Sequence, residues 1–85
     1  MLNYTQILEY AVKGINAEIE QLEKDVKQGY KFIEQIENGE KVKTPKTKYE
    51  IYAICRKKKE QIEKLNKERF ELSFELSELE EKKAK

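Results

Sequence analysis

The residues that can do chemistry in this chain are a cluster of basic side chains, a set of aromatic side chains and one cysteine. Histidine and tryptophan are absent, so the chain lacks the commonest general base and every catalytic triad that depends on histidine. It also lacks a glycine-rich phosphate loop. We therefore expect no enzymatic activity: no catalytic residue, no cofactor, no metal ion and no small-molecule substrate.

Basic residues concentrate in the middle of the sequence, where residues 41–67 hold ten lysines and arginines against three acids. The flanking segments are acidic, with four basic residues against eight acids in 1–40 and four against six in 68–85. Such a basic cluster can bind phosphates, and interleaved tyrosines can stack on unpaired bases. A solvated or acid-pairing surface is the alternative interpretation. The candidate anion or nucleic-acid contacts are Lys41, Lys43, Lys46, Lys48, Arg56, Lys57 and Lys59.

Apolar and aromatic residues near the chain ends predict a protein-binding surface. Phe70 and Phe74 are one helical turn apart, and Ile7 and Tyr10 lie near the start of the chain. Exposed apolar patches mark protein interfaces. We therefore expect Tyr10, Phe70, Phe74 and Ile7 to form a self-association or partner face, whereas the aromatic residues near the middle of the chain widen an intramolecular core.

Two long helices must position these residues. Asn38-Gly39 is a helix stop signal, and Thr44-Pro45 is typical of an N-cap followed by proline at the first helical position. Asn3 and Gln6 predict a capping box at the start of the first helix. The expected organisation is a single domain over 1–85, with a helix at 3–38, a turn at 39–44 and a helix at 45–82.

Apolar residues recur at alternating steps of three and four, over positions 8–36 and again over 51–79. We call these positions the heptad seam. A seam of this kind predicts a coiled coil, and a short connection makes the two helices antiparallel neighbours. The fold class is therefore all-α, a long antiparallel two-helix coiled-coil hairpin. In the preferred register Gly29 faces Cys55, and a register shifted by one heptad is the alternative.

Charged residues interrupt the seam of the second helix at Lys58 and Arg69. We expect their stems to cover seam carbons while their charged groups reach water or the flanking acids, Asp25 for Lys58 and Glu18 for Arg69. Cys55 is the one cysteine, so neither an intramolecular disulfide nor a multi-thiolate metal site can form. Its seam position favours a small packed side chain over a nucleophile.

A lone hairpin has a thin core, and pairing two hairpins into a four-helix bundle covers apolar surface. We therefore expect a homodimer that also binds a protein partner. The expected function is a non-enzymatic protein–protein interaction module, a small helical inhibitor or adaptor that binds a host or partner protein. Phages and mobile elements encode proteins of this kind, including anti-defence factors. One alternative is a nucleic-acid-binding accessory protein that uses the basic turn and the Arg56–Lys59 region, and another is a purely structural coiled-coil dimer.

The first residues of the chain lack a basic stretch followed by an apolar run. Nothing approaches the ~20 consecutive apolar residues of a membrane-spanning helix. We therefore expect a cytoplasmic protein that does not bind membranes.

Overall fold

The computed structural model describes residues 3–42 and 46–84, with side chains described as far as residue 82. Helix α1 spans Tyr4–Glu37 and helix α2 spans Lys48–Ala84. The two helices lie antiparallel and form a rod of 63 × 22 × 15 Å. Because its thinnest dimension is little more than the diameter of one helix, the hairpin is a single layer with both broad faces in solvent. The predicted all-α hairpin is confirmed.

Helix α1 begins at a reciprocal cap. The backbone N–H of Gln6 donates to the side-chain oxygen of Asn3 at 2.8 Å, and the backbone N–H of Asn3 donates to Gln6 Oε1 at 3.1 Å. This is the predicted capping box, which satisfies two backbone donors at once. Nearby, the Tyr4 hydroxyl donates to the carboxylate of Glu75 and so connects the start of α1 to α2.

The end of α1 is fixed by glycine. Gly39 has a φ of +76°, a left-handed conformation that costs glycine almost nothing and other residues more. Its N–H donates to the Ile36 carbonyl at 3.1 Å, and the N–H of Glu40 donates to the Gln35 carbonyl at 2.9 Å. These two bonds make a Schellman motif, so the predicted Asn-Gly stop is confirmed.

Helix α2 begins three residues after the predicted start at residue 45. The backbone N–H of Glu50 donates to Thr47 Oγ1 at 3.2 Å, and the N–H of Ile51 donates to the Thr47 carbonyl at 3.1 Å. Thr47 is therefore the N-cap, and it places the Glu50 carboxylate in the first turn, where the helix dipole favours an acid. The predicted cap, Thr44-Pro45, and the candidate contact Lys43 lie outside the described residues.

The core is one line of side chains between the helices. All buried residues belong to the predicted heptad seam, and they are Leu8, Ile19, Val26, Ile33, Ile51, Cys55 and Leu65. The other seam positions are half-buried. Phe32 packs against the core cluster near the turn, as predicted, whereas Tyr30 and Tyr52 stay 39% and 43% exposed.

The register is the preferred one. The Cys55 thiol donates to the Val26 carbonyl at 3.8 Å, and a β-carbon built on Gly29 would meet the Cys55 sulfur. One turn further along, Lys58 Nζ lies 2.8 Å from Asp25 Oδ2. These contacts exclude a shift of one heptad, which would move each pair by about 10 Å along the helix.

The expected pairing of Arg69 with Glu18 is wrong. The guanidinium donates instead to the side-chain oxygens of Asn16, at 2.9 Å, and Asn66, at 2.6 Å. Asn16 and Glu18 are two residues apart, so their side chains leave α1 on nearly opposite sides. A guanidinium held against Asn16 on one broad face therefore cannot reach a carboxylate on the other.

Neither described helix has an apolar stretch long enough to cross a membrane.

Candidate functional site

The four residues predicted to bind protein are all exposed near the open end of the hairpin, which is the end where α1 begins and α2 ends. Phe70 is 72% exposed, Phe74 and Tyr10 are each 59% exposed, and Ile7 is 50% exposed. Single exposed apolar residues are normal on a protein surface. Four large apolar side chains are therefore in contact with solvent near one end of this small hairpin.

These four residues do not form one face. Tyr10 lies two residues from a seam position on either side, and so does Phe74. Two residues correspond to a rotation of about 200° around a helix, so both side chains point away from the opposite helix. Ile7 and Tyr10 thus lie on the outer edge of α1, and Phe70 and Phe74 on the outer edge of α2. We call these the α1 edge and the phenylalanine edge.

The predicted basic contacts also separate. Lys48 lies 3.8 Å from the Glu37 carboxylate and 5.6 Å from the centre of the Tyr49 ring. Lys41 and Lys57 are exposed. Arg56 and Lys59, which the sequence places with Lys57, join a different group, described next.

Arg56 and Lys59 line a hollow together with three tyrosines, Tyr30, Tyr49 and Tyr52. The Lys59 ammonium lies 4.7 Å from the centre of the Tyr30 ring, close enough for a cation–π interaction. Contact with the Tyr30 side chain raises the pKa of Lys59 above its usual value. The hollow has a volume of about 400 Å³.

A second hollow adjoins the first at the turn. Both are lined by Tyr49, and the second adds Lys46 and Lys48 as its basic residues and Glu40 as its acid. Its apolar floor comes from Ile36 and Val42. Two of the predicted turn lysines, Lys46 and Lys48, therefore line a hollow next to a tyrosine.

A third hollow adjoins the first on its other side, along α1. Tyr30 lines both, and the third adds Lys24, Lys27 and Lys31 against one acid, Glu34. Because neighbouring hollows share a tyrosine, the three form a continuous surface, which we call the tyrosine track. It is lined by seven basic residues, three tyrosines and two acids.

Sequence reasoning missed the three lysines that α1 contributes to the track, Lys24, Lys27 and Lys31. These lysines belong to residues 1–40, where acids outnumber basic residues. Half of those acids precede Lys24, so they lie nearer the open end of the hairpin than the three lysines do. The local order Lys27, Gln28, Gly29, Tyr30, Lys31 interleaves basic and aromatic residues, which is the signal that could have identified them.

Lys58, the third residue of the basic run Arg56–Lys59, has a structural partner. Its ammonium binds Asp25, and each side chain is about one-third exposed. The hydrogen bond from Lys58, with a second from Gln21, holds the pKa of Asp25 below its usual value. This pair fixes the register and leaves Lys58 unavailable to the tyrosine track.

The described residues hold no group of three or more histidine, cysteine or acidic side chains that could bind a metal ion. The Cys55 thiol is buried and hydrogen-bonded to a helix carbonyl, as a packed side chain is. The arrangement can bind apolar side chains at its two edges, and anions and aromatic rings in the tyrosine track. Comparison of the chain with protein-family models, curated proteins and solved structures finds no match.

Proposed function

We propose that the chain is a non-enzymatic protein-interaction module, a small helical adaptor or inhibitor that pairs with a second copy of itself through the phenylalanine edge. One observation carries the proposal. Phe70 and Phe74 are 72% and 59% exposed, one turn apart, on the side of α2 that faces away from α1. Within residues 3–42 and 46–84, no element of the hairpin covers them.

The energetics favour a modest dimer. Complete burial of a fully exposed phenylalanine side chain is worth about 1.5–3 kcal/mol. Because Phe70 and Phe74 are 72% and 59% exposed, the four phenylalanines of a symmetric pair give roughly 4–8 kcal/mol. Association costs roughly 4–15 kcal/mol in lost freedom. The two terms are comparable, which predicts an equilibrium between monomer and dimer that shifts with protein concentration.

A symmetric pair uses the same edge on both copies, and it closes after two chains. The α1 edge, with Ile7 and Tyr10, then stays available to a foreign protein. Pairing the α1 edge to the phenylalanine edge would instead be head-to-tail and would build rings or open chains of more than two copies. A closed pair with a free α1 edge is compatible with the proposed role as an adaptor or inhibitor of the kind that phages and mobile elements encode.

Two matched variants test the proposal. Phe70→Ser/Phe74→Ser and Ile7→Ser/Tyr10→Ser each remove two exposed apolar side chains from one edge at the open end of the hairpin. We expect the first to abolish the dimer and the second to leave it intact, with molar mass measured by light scattering from micromolar to tens of micromolar protein. Circular dichroism checks that both variants remain helical.

The other outcomes are equally informative. A wild-type chain that stays monomeric over this range contradicts the self-association. Loss of association in both variants indicates head-to-tail packing and contradicts the symmetric pair. A dimer that persists in low and high salt supports an apolar interface, because salt screens exposed charges and leaves apolar contacts in place.

A further inference from the structure

We propose that the tyrosine track binds single-stranded nucleic acid, with bases stacked on its tyrosines and phosphates bound by Lys27, Lys31, Arg56 and Lys59. This site lies near the turn, away from the phenylalanine edge, and it does not depend on the function proposed above.

The charge of the track is available to an outside ligand. Lys24 has an acidic neighbour in Glu20 at 3.8 Å, and Lys48 has one in Glu37 at 3.8 Å. Lys27, Lys31, Arg56 and Lys59 make no ion pair with any described residue. Four uncompensated cations along one surface attract a polyanion.

The rings of the track can receive bases. Tyr49 is 76% exposed, Tyr52 is 43% exposed and Tyr30 is 39% exposed. An aromatic ring in a basic groove is the usual platform on which an unpaired base stacks, and each stacked base strengthens binding roughly 5- to 150-fold. Tyr49 and Tyr30 lie where neighbouring hollows meet. Successive bases of one strand can therefore stack on different tyrosines along the track.

The combination of cations and exposed rings favours a single strand over other polyanions. In a duplex the bases are paired and stacked on one another, so their faces cannot reach the tyrosines. An acidic protein segment supplies carboxylates but no row of planar rings. The track therefore fits a ligand that alternates phosphates with accessible bases.

The affinity should depend on salt in a calculable way. Binding to single strands changes with a slope of about −0.7 per neutralised phosphate in a plot of log affinity against log salt. Four uncompensated cations predict a slope of about −3. Removing two of them should make the slope less steep by about 1.4.

The test measures the fluorescence anisotropy of a labelled single-stranded homothymidine DNA titrated with the full chain at several salt concentrations. Arg56→Gln/Lys59→Gln should weaken binding about tenfold and reduce the salt slope. Tyr49→Leu/Tyr52→Leu should weaken binding at least fivefold with the salt slope unchanged, because it removes stacking and leaves the cations in place.

The matched control is Lys57→Gln/Lys64→Gln, which removes the same charge from α2 at positions that do not line the track. It should change affinity less than twofold. Binding that the control weakens as much as Arg56→Gln/Lys59→Gln overturns the proposal, because it indicates a general charge effect. So does unchanged binding by the tyrosine variant, competition by polyglutamate or duplex DNA as strong as by unlabelled single strand, or the absence of binding at low salt.

Discussion

The sulfur of Cys55 occupies the space that a side chain at residue 29 would need. A β-carbon built on Gly29 would lie 2.5 Å from that sulfur and 3.5 Å from Cγ2 of Ile51. Gly29 lies inside α1, where glycine costs about 1 kcal/mol relative to alanine. The close approach of Cys55 explains why a glycine is accepted at a core position of the heptad seam.

Gly29→Ala should therefore destabilise the hairpin, although alanine is the better helix former. Overpacking a core costs about 1–3 kcal/mol, which outweighs the gain of about 1 kcal/mol in helix propensity. We expect the free energy of unfolding to fall by up to about 2 kcal/mol. Urea denaturation followed by circular dichroism measures it.

The double variant Gly29→Ala/Cys55→Ala distinguishes a clash from a general intolerance of position 29. It removes the sulfur that the new methyl group would meet, so adding Gly29→Ala should cost less in the Cys55→Ala background than in the wild type. An equal cost in both backgrounds contradicts the pairing of these two residues.

The other two glycines predict opposite outcomes for the same substitution. Gly39→Ala should lower the free energy of unfolding by about 1–2 kcal/mol, because alanine must adopt the left-handed conformation at the end of α1. Gly14→Ala should raise it by about 0.5–1 kcal/mol, since a β-carbon there meets nothing within 4 Å and the position is helical. Thermal and urea unfolding of the two variants, compared with the wild type, check both signs.

The N-cap of α2 can be tested with a conservative control. Thr47→Ala removes the oxygen that accepts from the Glu50 N–H and should cost about 0.5–2 kcal/mol of stability. Thr47→Ser keeps a hydroxyl at the same atom and should cost far less. Equal stability of the two variants would show that the hydroxyl does not cap α2.

The pair of Asp25 and Lys58 predicts that part of the hairpin's free energy of unfolding is lost at acid pH. Because the folded protein holds the pKa of Asp25 below its usual value of 3.8, the pair stabilises the hairpin above that pH and ceases to do so as the pH falls through the folded pKa. We expect Asp25→Asn to lose less stability than the wild type between pH 7 and pH 3. Urea midpoints at both pH values measure this, and Glu71→Gln, on the exposed surface of α2, is the control. A midpoint shift equal to that of the wild type argues against the pair.

The heptad seam is predictable from the sequence because apolar residues spaced alternately three and four positions apart over many helical turns form a single stripe. Only a coiled coil buries such a stripe. The cap of α2 was misassigned because Thr44-Pro45 and Thr47-Glu50 are both start signals, and periodicity cannot choose between starts three residues apart. The partner of Arg69 depends on which broad face its long side chain follows. From sequence position alone, Asn16 and Glu18 are equally good partners for Arg69, so the conformation of the Arg69 side chain determines which one it contacts.

The tyrosine track shows why the candidate site was only half predicted. Arg56 and Lys59 were singled out because they stand in a basic run. The sequence did not single out Lys27 and Lys31, because they lie more than twenty residues before Arg56. They reach the same surface only through the antiparallel pairing of the two helices. A local charge count cannot combine residues from two helices, although the register predicted from the seam already places Tyr30 beside Tyr52.

The position of the core cluster has a consequence for folding kinetics. Val26, Ile33, Ile51 and Cys55 form the cluster nearest the turn, so the contacts that close it span the shortest loops of the hairpin and carry the smallest closure entropy. We expect the chain to nucleate there and to close toward the open end like a zipper, with fast folding typical of low contact order. The terminal turns, which carry both outer edges, should exchange their amide hydrogens first, and dimer formation should slow that exchange.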